Sequence, residues 1–129
     1  MLGRSRRARE SREPWSWEEV GRRAIAVYQV GRSDGRLRTA VLLWQGDDAR
    51  IAVQGGSTPP LLAFTMDLDP EPGEDNAVAL AGFDSLEAAR RHCVEWTGEA
   101  TEVGIAQLGE TAQIGLYASI REPSFATQT

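Results

Sequence analysis

Lysine is absent from this sequence: all 14 basic residues are arginine. Without a side-chain primary amine, Schiff-base chemistry, a phosphate-loop lysine and a lysine general base are excluded. Cysteine and histidine occur once each, side by side, as Cys93 and His92. One thiol cannot form an internal disulfide, and two ligands cannot complete a Cys/His zinc site, which needs about four. Long apolar runs are missing too. Runs such as Ala40 to Trp44 and Ala77 to Ala81 are the size of core strands and fall far short of the roughly 20 residues that cross a bilayer. The basic start, Met1 to Glu10, is followed by no apolar core before Pro14, so neither a secretory nor a twin-arginine signal is expected and the reducing cytoplasm is the expected location. Arginine in place of lysine, with abundant Ala and Gly, points to a GC-rich and hence bacterial gene.

What is present is ordinary for a globular chain. The 129 residues are 41% hydrophobic and 26% charged, enough for one core that buries roughly two-thirds of the unfolded surface. Charge is unevenly spread. Residues 1–12 hold five arginines and one glutamate, net +4, and the remainder holds nine arginines and eighteen acids, net −9. The expected organisation is a basic flexible arm over 1–13, one α+β domain over 14–121 and a flexible tail over 122–129. An acidic body repels nucleic acid, so only the arm could attract it.

Local signals place the elements. Ser16 is a helix N-cap with Glu19 three residues on, and Trp15 can staple onto Val20. The spacing of Trp17, Val20, Ala24 and Val27 continues that helix to about Tyr28, although Ala24 to Val30 reads equally well as a strand. Strands are expected over Leu37 to Gln45, Arg50 to Gln54, Leu61 to Asp67 and Ala77 to Ala81, with Gly46-Asp47-Asp48 joining the first two as a hairpin. The clearest helix spans about 85–97. Asp84 is its expected N-cap, Glu87 completes a capping box, Gly98 closes the C-terminus, and Leu86, Ala89, Cys93 and Trp96 form its inner face. Two last strands are suggested by Val103 with Ile105 and by the alternation of Ile114, Leu116, Ala118 and Ile120, with Gly109-Glu110-Thr111 as the turn. The predicted fold class is therefore α+β, a mainly antiparallel sheet of about five to six strands with one well-defined amphipathic helix and an N-terminal helix over about 17–28.

Candidate chemistry is sparse. Adjacent helix positions point about 100° apart, so His92 and Cys93 do not face each other, and Cys93 reads as a buried apolar thiol. The acidic stretch from Asp67 to Asn76 fails as an EF-hand: with Asp67, Asp69 and Glu71 at positions 1, 3 and 5, position 6 is Pro72 and position 12 is Val78. No metal site and no cofactor are expected. Gly55-Gly56-Ser57-Thr58 lacks the lysine and helix start of a phosphate loop. Trp44 and Trp96 read as core or edge anchors, with Trp44 the candidate interface anchor, since tryptophan dominates binding hot spots. Arg4, Arg6, Arg7, Arg9 and Arg12 are candidates for contact with nucleic-acid phosphate or an acidic partner. These features favour a non-enzymatic protein-binding module of the accessory-subunit or inhibitor type. The alternatives are a nucleic-acid-associated protein that uses its arm and a small-substrate enzyme built on carboxylates.

Overall fold

A computed structural model describes residues 15–46, 49–53, 55–69 and 78–121. Four antiparallel strands form a meander: β1 (Ala24–Gly31), β2 (Leu37–Trp44), β3 (Leu61–Leu68) and β4 (Val78–Phe83), in the order β1-β2-β3-β4. Helix α1 (Trp17–Arg23) precedes the sheet, and α2 (Leu86–Thr97), a 3₁₀ turn (Ile105–Gln107) and α3 (Glu110–Arg121) follow it. The α+β class and antiparallel sheet are as expected, with four strands among the described residues rather than five to six.

The pleat divides the apolar residues between two cores. On one face Val27, Val41, Leu43, Leu62, Phe64 and Met66 meet Trp15, Val20, Leu108, Ala112, Leu116 and Ile120. On the other, Ala26, Tyr28, Ala40, Leu42, Leu61 and Ala63 meet Ala89 and Cys93 of α2. The sheet is thus covered on both faces, which is why β2 and β3 read as nearly continuous apolar runs instead of alternating with polar residues.

The caps are partly those expected. Ser16 accepts a hydrogen bond from Glu19 N at 3.1 Å, and Trp15 and Val20 are buried in one core, as a hydrophobic staple requires. The Glu19 carboxylate is taken up by Arg22 and Arg23. On α2 the N-cap is Ser85, not Asp84: its hydroxyl accepts from Ala88 N at 3.2 Å. Gly98 closes α2 at φ 78°, a left-handed conformation that glycine adopts without penalty. Leu86, expected on the inner face, is exposed, while Ala89, Cys93 and Thr97 are buried.

Four expected elements are corrected. The first helix stops at Arg23, and Ala24 to Gly31 is strand, in register with Leu37 to Leu43 and with a bulge between Ala24 and Ala26; tertiary pairing and the β-branched Ile25, Val27 and Val30 outweigh the helical spacing. Arg50 to Val53 is not a strand. Its polar groups turn to the fully buried Gln45, whose amide donates to Ile51 O at 2.9 Å and Pro59 O at 2.7 Å while its carbonyl oxygen accepts from Ile51 N at 3.0 Å and Arg50 N at 3.2 Å. Residues 114–120 belong to α3, where burial falls on Ala112, Leu116, Ser119 and Ile120, a helical spacing. Val103 contributes one antiparallel bridge to Val27, with bonds of 2.9 and 2.8 Å, and Ile105 opens the 3₁₀ turn. Among the described residues no helix is long and apolar enough to cross a membrane.

Candidate functional site

The meander sets Trp44, Leu61 and Phe83 side by side at one end of the sheet, as directly paired residues of β2, β3 and β4. Paired residues share a face, here the face that α2 packs on, and their environments differ. Leu61 is buried and Phe83 is half-buried against His92, ring centroids 5.1 Å apart, whereas Trp44 is 48% exposed. The Trp44 indole lies directly over Gly46: a Cβ built there would come within 2.5 Å of the ring, and Gly46 has φ 48°. Only glycine allows this approach at that backbone angle. The backbone beneath is held as well, because Arg23 donates to Trp44 O and Gln45 O, both at 3.2 Å, and its guanidinium stacks 4.6 Å from the Trp15 ring.

The other tryptophans are engaged within the chain. Trp15 is 3% exposed, Trp17 meets Tyr117 edge to face at 6.2 Å, and Trp96 packs under Arg38 at 5.0 Å while its carbonyl accepts from Arg38 at 3.1 Å. The core reading of Trp44 therefore gives way to an exposed position. Arg4, Arg6, Arg7, Arg9 and Arg12 lie outside the described residues. So do most residues of the acidic stretch. Asp67 and Asp69, at its start, bind Arg36 through contacts of 2.9 Å each.

The cluster that most resembles catalytic machinery joins residues far apart in the sequence. The Tyr28 hydroxyl, buried on β1, donates to Glu102, and Arg90 of α2 donates to the same carboxylate at 2.8 Å. Burial, and then the charge of Glu102, push the Cys93 thiol up to about 12. Burial, followed by the bond to Glu102 and its charge, raises the Tyr28 phenol well above its ordinary value. Burial alone would raise the Glu102 carboxyl, yet hydrogen bonds from Tyr28 and Arg90 and the arginine charge outweigh it and hold the group below the usual range. At neutral pH the thiol and phenol stay protonated and the carboxylate accepts from Tyr28 and Arg90, so the cluster lacks an activated nucleophile. Its work is to tie the segment after α2 to β1. No local motif marks it, because its members come from β1, α2 and the segment after α2.

Among the described residues, two shallow concavities have volumes near 280–290 Å³. One lies between Leu37, Leu68 and the start of α3 with Asp69 and Glu110 at its rim. The other lies among Pro59, Pro60, Gly82, Phe83 and Asp84. The hydroxyl-bearing residues Ser57 and Thr58 also line the second. Among the described residues no group of three or more His, Cys, Asp or Glu is placed to hold a metal ion. Comparisons with family models, curated proteins and solved structures find no significant match.

Proposed function

We propose that this chain is a non-enzymatic protein-binding module, of the accessory-subunit or inhibitor type, whose partner is anchored on Trp44. The observation that carries the reading is the half-exposed indole fixed over Gly46. A large, rigid, partly apolar side chain already held in one position loses little entropy on binding, which is why tryptophan is over-represented among hot spots. The state of the remaining chemistry supports it: the described residues carry nine arginines and eleven carboxylates, and the partly buried ones serve ion pairs and hydrogen bonds within the fold.

The test compares wild-type chain with Trp44→Ala as bait in the native cell extract, followed by titration of the purified partner against both. Loss of a hot-spot tryptophan costs at least about 2 kcal/mol, roughly thirtyfold in affinity, with little change in thermal stability because the ring is exposed. Equal affinities would sink the reading. A second reading, nucleic-acid association, rests on the arginine arm; salt-sensitive binding to DNA or RNA that disappears on deletion of residues 1–12 would favour it instead.

A further inference from the structure

The two edges of the sheet are finished differently. At β1 the bulge and the reciprocal bonds with Val103 occupy the outer side. At β4 neither device is present, and among the described residues no bridge or backbone bond reaches its outer side. The strand reads Val78-Ala79-Leu80-Ala81-Gly82-Phe83, with no charge and no proline, the two side-chain devices by which natural sheets keep an edge from pairing. All six residues are half-buried. Val78 and Leu80 belong to the core under α3 and Phe83 to the core under α2, so among the described residues both cores run out to this edge.

We infer that β4 pairs antiparallel with β4 of a second copy, joining two four-stranded sheets into one. A copy of the same chain fits for reasons of charge, symmetry and volume. The chain has a formal charge of −5, so two copies repel except where they meet without charge, and β4 offers such a stretch. A two-fold axis normal to the sheet keeps each face on its own side, and directly opposed antiparallel residues share a face. Only registers in which a residue faces itself satisfy both conditions. With Leu80 on the axis, Val78 faces Gly82 and Ala79 faces Ala81; with Ala81 on the axis, Leu80 faces Gly82 and Ala79 faces Phe83. Either way, within β4, a larger side chain faces an equal or smaller one off the axis.

Size sets the strength. Six residues span about 20 Å, and a layer of roughly 10 Å on each side of the sheet gives about 400 Å² per copy, near 800 Å² in all and below the roughly 1,200 Å² of stable interfaces. The dimer is therefore reversible and concentration-dependent.

Sedimentation equilibrium of the full chain from micromolar to millimolar concentration tests this, together with hydrogen exchange at the same concentrations. The expected result is a mass that rises from 14.1 kDa toward twice that value, with β4 amides exchanging more slowly as concentration rises and β2 amides unaffected. Ala79→Glu and Ala79→Arg, each with unchanged far-UV circular dichroism, should raise the dissociation constant at least tenfold. A chain monomeric throughout overturns the inference. So does a dimer in which β4 exchange is independent of concentration, a result that needs no substitution.

Discussion

Gln45 shows how far one side chain can organise a connection. Its amide meets four backbone groups of the segment between β2 and β3, and it is fully buried, so Gln45→Ala strands polar groups away from water. The cost of leaving them unpaired is about 3 kcal/mol, a drop of roughly 10–15 °C in melting temperature for a chain of this size. Equilibrium denaturation measures it, and a loss under about 1 kcal/mol would mean that the segment is held by something else. In the sequence the residue reads as the end of a strand, and nothing in its neighbours marks it as a hub. Trp44 is similar: its residue type announced a large contact area, but its exposure depends on Gly46 and on which strand end it occupies, and only the fold supplies these.

At the level of elements, α2 and the strands β2, β3 and β4 were largely legible, and the failures have physical causes. The α2 pattern has helical spacing over twelve residues and a terminal glycine in agreement, with the cap one residue later than expected, at Ser85. The region of α3 carries conflicting signals: Ile114 and Ile120 are β-branched, Gly115 is a poor helix former, and strict alternation of apolar residues coincides with a helical set that includes Ala112 and the polar Ser119. The same glycine gives a test. A Cβ at Gly115 would sit 3.6 Å from Met66 Sδ and 3.8 Å from Val78 Cγ2, which is ordinary contact. Gly115→Ala should then stabilise by up to about 1 kcal/mol through helix propensity. At Gly82 a Cβ would fall 2.2 Å from Pro59 Cγ, so Gly82→Ala should destabilise the chain. Urea titration of both variants decides, and the opposite sign at Gly115 would count against its place in a helix. The site was least legible because the Tyr28, Arg90 and Glu102 cluster depends on α2 bringing distant residues together.

For the molecule as a whole, these groups define a range of pH. The Glu19 carboxyl is pulled below 4.5 by hydrogen bonding from Arg22, Glu99 by the Thr101 N–H, and Glu102 by Tyr28 and Arg90 against burial. A depressed carboxyl contributes stability that is present above its unfolded value and lost as pH falls through the folded one, so the acid limb lies below about pH 4.5. The Cys93 thiol, raised from 9.0 to about 12, acts in the opposite direction. It favours the fold fully below pH 9, and that contribution drains away as pH rises toward 12, with Tyr28 adding to it above 10. Denaturation midpoints should form a plateau between about pH 5 and 9, with the alkaline limb shallower in Cys93→Ala and the acid limb shallower in Glu102→Gln. Stability unchanged from neutrality to pH 11 would contradict the burial of both groups. The bridge between Val27 and Val103 carries a last consequence, for the order in which the chain acquires its shape. β1 leaves the ribosome early and the residue that seals its edge emerges long afterwards, so the growing meander passes through a period with both margins open. During synthesis the molecule is more exposed to mispairing than its finished form suggests, and completing the segment after α2 brings that interval to an end.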